Sequence, residues 1–467
     1  MPKAKALRTV EIPACTLPVV AVADAVVVGG GNAGFVAAVA AARTGARTVL
    51  VERYGTLAGS LTGTYATSPG FFGDSTGDQT VKGIGWEFVE RMEQAGAAVV
   101  NRGWWSAQIF PEVAKAVALD MVVEAGVELY LHTWAGEPLM DNGTIRGLVV
   151  QSKSGRQVIE GQVFVDATGD ADLAFLAGAP TEMLQPDDLW QTSVDLTVCN
   201  VDAVKVVQWA KDNPERTGGY LSIPEDIGAP GLHPMFTLIV CGDETSEQDS
   251  SVVHVGPVPT VKLMVHPSIS RVQGSVEIDG TDVRSLTYAE IEARRRAMAH
   301  LAYLKASVPG YEHAVIVGES PLGVRETRRI VGDYVLTLDD LLTNARFPDV
   351  VALNCRALDR HLKGDVFKFD LLKGNHDVPL RALIPQKVEN LLVAGRCISS
   401  DHEAHASLRG AATCLATGHA AGTAAALAAR GSGKVRDLDV TALQRVLREQ
   451  QAILETRRNS LDADGRG

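Results

Sequence analysis

Aromatic residues make up only 5% of this 467-residue chain, cysteines number six, and basic residues are outnumbered by acidic ones, 44 to 56. The acid surplus, a net charge of −12, argues against nucleic acid and anionic membrane as default partners, because both select basic surfaces. Cys15, Cys199, Cys241, Cys355, Cys397 and Cys414 never fall within three residues of one another. That spacing offers no zinc knuckle and no CxxC dithiol, and so sparse a set reads as a reduced, cytoplasmic chain. No metal-ligand spacing and no internal repeat stand out. No stretch makes a signal peptide or a membrane span: Lys3, Lys5 and Arg8 run into Glu11 and Pro13, the apolar run from Leu17 to Val28 is short and holds Asp24, and the alanine-rich run from Ala411 to Ala429 holds His419 and several glycines. A soluble protein of the cytoplasm is therefore expected.

What is present is core material. At 46% hydrophobic the chain can bury a large interior, and a rule of roughly 150 residues per domain gives two or three units. Residues 1–22 read as a lead-in. Ala25 to Val28 is an apolar run of the kind buried on both faces of a parallel sheet. Gly29-Gly30-Gly31-Asn32-Ala33-Gly34 follows, then a helix pattern from Phe35 to Arg43 that stops at Gly45. Thr48 to Glu52 is a second strand, and the whole makes a βαβ unit of about 30 residues.

The glycines of Gly29-x-Gly31-x-x-Gly34 fall where a dinucleotide needs them. The first allows the tight turn, the second lets backbone approach a pyrophosphate, and the third lets helix and strand pack closely. The helix end adds free N–H groups and a positive dipole. Glu52 ends the second strand, 18 residues after Gly34, where a carboxylate accepts from a ribose diol; Arg53 beside it suits a 2′-phosphate or an adenine. NAD and FAD remain equally open on these grounds.

Further along, a helix is expected from Glu112 to Glu124, strands from Val127 to His132 and Thr144 to Gln151 with a turn at Asp141-Asn142-Gly143, and a strand Val163 to Asp166 ending in Ala167-Thr168-Gly169-Asp170. Between about Thr181 and Asn375, strand-like pieces (Ser193 to Val198, Phe236 to Val240, Val261 to Val265) alternate with loops. Thr287-Tyr288-Ala289-Glu290 reads as a capping box opening a helix to about Ala306. Leu391-Leu392-Val393-Ala394-Gly395-Arg396 reads as a buried strand followed by the alanine-rich helix. A helix begins near Ser407, with Gly418 and Gly422 for close packing. Leu443, Val446, Leu447, Ile453 and Leu454 line a terminal amphipathic helix.

Taken together, Gly29 to Gly34, Glu52-Arg53-Tyr54-Gly55, Asp166 to Asp170 and Leu391 to Arg396, with the stretches Val324 to Ile330 and His402 to Cys414, resemble the bacterial FAD-dependent oxidoreductase family of the glutathione reductase/fumarate reductase superfamily. The resemblance runs from Val22 to about Gln450. It implies FAD, held by Gly29, Gly31, Asn32, Ala33, Gly34, Glu52, Arg53, Gly59, Ser60, Thr62, Thr168, Gly169, Asp170, Gly395, Arg396, Ala406 and Ser407. It also implies that the C-terminal alanine-rich helix aims its positive end at the flavin's pyrimidine edge. One departure stands out: Ala58-Gly59 replaces the relatives' Gly-Gly, and Ala58 either crowds the pyrophosphate or fills a place with negative φ. No histidine lies near the glycine loop where covalently flavinylated relatives carry one, which implies a non-covalent cofactor.

The expected fold class is α/β: a Rossmann-like, discontinuous FAD-binding domain (22–62, 111–180 and 380–430), an inserted α+β substrate or cap domain (63–110 and 181–379), and a C-terminal helix and tail (431–467). The expected activity is an FAD-dependent dehydrogenase or reductase of a small organic molecule, with CH–OH or CH–CH chemistry. Since no second glycine fingerprint follows a strand, the other electron partner would be oxygen, a quinone or a partner protein; a homo-oligomer is possible. The alternatives are a flavin monooxygenase fed by a separate reductase, and an FAD-binding protein without turnover. Candidate catalytic residues are His405, a possible acid or base; His402; Arg409, a possible carboxylate clamp; and Arg325 with Glu326. Each competes with a structural reading as cap, ion pair or packing. Asp359 and His361 read as a loop pair favouring the surface. Trp104-Trp105 and the segment from Tyr65 to Phe72 are rich in aromatics and glycine, so one of the two tryptophans lines a pocket wall or, equally, belongs to an interface or hydrophobic patch. His132 and Trp134 read as structural residues toward the adenine end.

Overall fold

A computed structural model describes residues 8–63, 70–214, 217–218, 235–240, 249–255, 260–265, 277–362 and 366–456. Residues 65–69 of the aromatic and glycine segment, Cys241 and the tail from 457 lie outside them.

The first layer is a sheet whose order follows from which runs are apolar throughout. β1 (Val19–Val28) leads into α1 (Asn32–Arg43) and β2 (Thr48–Val51). After helix α2 (Pro111–Glu124), with Pro111 in its first turn, come β3 (Glu128–Tyr130), β4 (Trp134–Asp141), β5 (Thr144–Ser152) and β6 (Gly155–Asp166). Far along the chain come α3 (Val283–Ser307), β7 (Leu391–Val393), α4 (His402–Leu408), α5 (Ala411–Arg430) and α6 (Val440–Glu449). The strands lie in the order β3-β2-β1-β6-β5-β4. β1 runs parallel to β2 and β6, and β7 runs parallel to the end of β6, pairing Leu391 with Phe164 and Val393 with Asp166. β4, β5 and the first part of β6 form an antiparallel meander. The parallel strands therefore all end on one edge, at Val28, Val51, Asp166 and Val393, which is where open α/β sheets bind ligands.

Helices α1 and α5 cross on this sheet at backbone contact distance. A β-carbon on Gly418 would stand 2.2 Å from the Ala33 carbonyl oxygen, and one on Gly422 2.0 Å from that of Ala37. Helix Ile84–Gln94 joins the same layer, with Phe88 edge-to-face on Phe35 of α1 (centroids 5.3 Å apart). A second, antiparallel sheet has the order Thr217–Gly218, Met235–Val240, Asp249–Val255, Thr260–Val265, Val194–Cys199, Val315–Glu319. Val194, Leu196 and Val198 from it share a core with Ala293, Ala297, Leu301 and Leu304 of α3.

Several boundaries differ from expectation for local reasons. Strand β1 starts at Val19, inside the supposed lead-in, because Ala21 and Ala23 are already buried. Helix α3 starts at Val283, not Thr287: Asp282 caps it by accepting from the Arg284 N–H, Thr287 donates to the Val283 carbonyl, and Glu290 turns to Arg294 and the Leu322 N–H instead of closing a box. The helix expected from Ser407 is two helices, broken at Gly410. Helix α6 ends at Glu449, so Ile453 and Leu454 lie beyond it, after Gln451 with φ +65°. Trp104 and Trp105 sit in a turn, not a strand: Trp104 is exposed while Trp105, at φ +48°, packs edge-to-face on Trp86.

Candidate functional site

The glycine loop sits at the sheet edge as a cradle with one packed side and one open side. Gly29 has φ +93°, and a β-carbon there would stand 2.6 Å from the Ala167 carbonyl, so both conformation and space require glycine. Gly34 is pressed on the Gly29 carbonyl, where a β-carbon would come within 1.7 Å. Gly31 differs: a β-carbon would meet nothing nearer than the Ala167 oxygen at 3.9 Å. Gly31 caps α1 without any side chain closing the helix end, so the first amides of α1 face the space beside it. Asn32 donates to Ser60 Oγ (2.8 Å), but its own Oδ1 is buried without a partner. Gly59 crosses in front, its position for a β-carbon 3.0 Å from the Gly31 Cα. An open, amide-lined cavity wall at a positive helix end suits a diphosphate.

Ala58, where a second glycine was expected, holds φ +64° with its methyl fully buried. The alternative of a place with negative φ is therefore excluded, and the residue is strained. Thr62 turns its hydroxyl inward, to the Leu57 carbonyl.

Glu52 closes the other side. Its Oε2 accepts from the Gly30 N–H (2.6 Å) and its Oε1 from the Tyr54 N–H (2.7 Å). Burial pushes this carboxyl up, and the backbone donors oppose the rise. Each oxygen retains a lone pair for a diol. Arg53 lies over the rings of Tyr54 (4.9 Å) and Trp134 (5.3 Å), and the His132 imidazole packs on Gly55.

At the end of β6, buried Asp166 binds the turn that follows, accepting from the Thr168 N–H (3.0 Å), the Thr168 hydroxyl (2.7 Å) and the Ala174 N–H (2.9 Å). Burial pushes its carboxyl up to about 6. The turn brings Asp170 to Arg396 (2.7 Å) and to the Thr327 hydroxyl (2.7 Å), and Arg396 reaches on to the Val324 carbonyl (2.8 Å). Gly169 lies under the Arg396 guanidinium, and a β-carbon on Gly395 would stand 3.0 Å from that of Ala33. The ends of β1, β6 and β7 and the segment 324–328 thus meet at one place.

Beyond Arg396 lies a buried polar group built from segments with no fingerprint of their own. Glu326 is 2% exposed and bonded to Arg329; its Oε2 accepts from the Trp190 N–H (3.1 Å) and its Oε1 faces His402 Nδ1 at 3.0 Å. The His402 ring is stacked on Trp190, centroids 3.9 Å apart and planes 15° off parallel. His405, on the same helix, is fully buried, its Nδ1 without a partner; burial first, then Arg329, Arg409 and Arg396, hold its imidazole well below the usual histidine range. Arg325 donates to the Gln191 carbonyl (2.6 Å). Arg409 is not within the long helix as expected; it caps the end of α4 and donates to the Asp359 carbonyl (2.6 Å).

Asp359 and His361 are likewise not a surface loop. They lie on a buried strand, Leu358–Leu362, of a hairpin, 3.0 Å apart, and Arg356 bonds the same carboxylate at 2.5 Å. Against the upward push of burial, Arg409, Arg356 and His361 hold Asp359 well below the carboxylate range. Ala406 and Ser407 are buried in α4, and the Ser407 hydroxyl is used within the protein, donating to the Arg356 carbonyl (2.5 Å) and accepting from Asn354 (2.8 Å).

Trp190, Arg329 and Arg356 were not foreseen. Trp190 lies in an unpatterned loop, and Arg329 and Arg356 gain their place only through chain crossings; the one hint was the charge density of residues 325–329.

Layers and edge together define a dinucleotide-binding α/β protein. The pattern of the family described as FAD dependent oxidoreductase matches residues 24–447, and the chain belongs to that family. It is an enzyme, an oxidoreductase, and its cofactor is FAD. Similar solved structures include a geranylgeranyl bacteriochlorophyll reductase-like protein from Thermoplasma acidophilum (15% identity, 94% of this chain and 85% of that one, TM-score 0.42). Others are the flavin-dependent brominase Bmp2 (14%, 92% and 83%, 0.44) and p-nitrophenol 4-monooxygenase PnpA from Pseudomonas putida DLL-E4 (12%, 92% and 82%, 0.45). No curated protein matches the chain. Among the described residues, no helix is long and apolar enough to cross a membrane.

Proposed function

We propose that this enzyme is a dehydrogenase or reductase that moves hydride between a small organic molecule and non-covalently held FAD, with CH–OH or CH–CH chemistry. The observation that carries the reading is the Glu326–His402–Trp190 group beside Arg396 and Asp170. On this reading residues 22–62, 111–180 and 380–430 carry the cofactor, with Gly31 and the first amides of α1 at the diphosphate, Glu52 at the ribose, and Arg396 and Asp170 closing the far side. The described residues of 181–379 cover it, while helix Ile84–Gln94 packs on α1 in the cofactor domain's own layer. The bound FAD supplies two-electron chemistry; the chain supplies orientation and proton handling.

His402 is better suited to move a proton than His405. Its Nδ1 is fixed on Glu326, itself fixed by Arg329 and the Trp190 amide, and the flat stacking on Trp190 holds the ring plane. That leaves Nε2 to take a proton from a substrate hydroxyl or return one. His405, buried and kept neutral by its cationic neighbours, serves as a neutral donor or acceptor. The electron partner is oxygen, a quinone or a protein.

Anaerobic titration of the yellow enzyme with alcohols, hydroxy acids, sugars and steroids should bleach the flavin band with at least one class, and His402→Ala should slow bleaching by about 100-fold or more while FAD content holds. If no donor bleaches it, or if mixing reduced enzyme with oxygen gives an oxygenating optical transient, the dehydrogenase reading is lost. Acid precipitation should leave the colour in solution; a yellow pellet would refute the non-covalent attachment.

A further inference from the structure

Trp190 joins the buried polar group through its main chain and its ring, and one polar atom is left over. Its loop is fixed along its length. The Trp190 N–H donates to Glu326 Oε2 (3.1 Å), the Gln191 N–H to the His361 carbonyl (3.2 Å), and Arg325 to the Gln191 carbonyl (2.6 Å), while Ser193 and Gly323 exchange main-chain bonds (3.1 and 2.7 Å). The indole lies flat on the His402 ring, centroids 3.9 Å apart, and the residue is 2% exposed, so the ring has little freedom to turn away. Its Nε1–H nonetheless finds no acceptor in the protein. The carboxylate of the group is already taken: Arg329 and His402 share Oε1 of Glu326, the Trp190 main chain holds Oε2, and Arg409 faces it as well. An indole N–H can only donate, a buried one ordinarily has a partner, and leaving it unmet is costly. The site is not sealed, for the His402 side chain stacked on this indole keeps 22% of its surface exposed. A ligand oxygen that reaches His402 Nε2 therefore brings its neighbouring atoms beside the indole edge.

We propose that the Trp190 indole N–H donates to the substrate, and that the substrate carries an oxygen on the carbon next to the one whose hydroxyl meets His402. Such a molecule is a vicinal diol, as in a sugar or polyol, or a 2-hydroxy acid. His402 takes one oxygen and Trp190 the other, so the pair selects alcohols by their neighbouring group. The inference rests on the reading given above, in which His402 handles the proton of a substrate hydroxyl, and narrows it to CH–OH chemistry beside a second oxygen. Its test needs no turnover.

The test is titration of the FAD-loaded enzyme followed by its indole N–H resonances, of which the six tryptophans give six. Trp190→Phe identifies the one concerned, because phenylalanine keeps a flat ring against His402 and lacks the N–H. Glycerol, D-glucose and L-lactate are compared with propan-2-ol and cyclohexanol. At least one of the first three should move the Trp190 signal saturably downfield and bind at least about 10-fold more tightly than the monoalcohols, the ratio expected when a buried donor gains its acceptor. Trp190→Phe should abolish that preference, with monoalcohol binding and FAD content unchanged. Equal affinity for the two sets, or a Trp190 signal that none of them moves, overturns the proposal. So does a folded Trp190→Phe enzyme that sheds FAD, since the indole would then serve the cofactor. Should that variant not fold, the comparison of the two sets on the unaltered enzyme by calorimetry decides. A failed hydride screen with the shift intact would refute the dehydrogenase reading alone, and bleaching by alcohols without regard to a neighbouring oxygen would refute this inference alone.

Discussion

Gly31 and Gly34 stand three residues apart and answer to different neighbours. A side chain at Gly31 finds open space on the side assigned to the diphosphate, whereas one at Gly34 collides with the Gly29 carbonyl. Gly31→Val should therefore leave the melting temperature of the cofactor-free protein within a degree or two and lower FAD affinity by at least about 100-fold, because the seat is filled and the fold is not disturbed. Gly34→Ala should cost about 3 kcal/mol or more of stability through backbone collision. A Gly31→Val enzyme with full flavin content would remove the loop from the cofactor site. Ala58 offers the opposite experiment. Its φ of +64° carries a steric cost of about 1–2 kcal/mol, partly offset in glycine by the greater freedom of the unfolded chain. Ala58→Gly should raise stability by roughly 0.5–1 kcal/mol, measured by urea unfolding; a loss would mean that the buried methyl matters more than the strain.

Elements carry these residues to one place, and the contact of α1 with α5 is the joint that sets the spacing. Gly418 and Gly422 lie one turn apart, each against a carbonyl of α1, and Ala33 at the start of α1 touches Gly395 as well. Separating the helices should therefore displace the loop before Arg396 along with the glycine cradle. Gly422→Ala should cost about 2–3 kcal/mol and weaken FAD binding, although the residue lies far along α5 from the site; unchanged flavin affinity in a destabilised variant would show that the joint serves packing alone. Much of this layer was legible beforehand. β1, β2, the end of β6 and β7 are short apolar runs followed by small residues, and burial on both faces of a parallel sheet demands that composition. The far side was not legible. Trp190, Arg329 and Arg356 come from segments without periodicity, and only chain crossings bring them to His402, Glu326 and Arg409. The capping-box pattern at Thr287 misled because Asp282 offers an earlier cap and Glu290 is drawn to the Leu322 amide.

For the whole molecule, buried ionisable groups set how it responds to acid, and two kinds oppose each other. Burial holds His300, His376 and His419 at about 4, against about 6.5 in an unfolded chain. Between those values the unfolded chain binds more protons, so the stability these groups allow is complete above pH 6.5 and is lost as pH falls toward 4. Asp166 works the other way. Its folded value of about 6 lies above the model value of 3.8, so the folded chain binds more protons between the two, and stability from this group grows as pH falls through 6. Glu52, Asp172 and Asp377 are pushed up by burial as Asp166 is, but only Asp166 is raised as far as the three histidines are lowered. His361, His405 and the Asp359 carboxyl, all held low, side with the histidines. The net expectation is a melting temperature that drops by several degrees between pH 7 and pH 5, where a dominant Asp166 would make it rise. His300 isolates one member of the set, since its shift comes from burial alone and its Nε2 has no partner to lose. His300→Leu should keep stability near the parent's at pH 8 and flatten the acid slope between pH 6.5 and 4. An unchanged slope in that variant would mean that the imidazole already reaches water in the folded chain, and that the interior around α3 is looser than its packing implies.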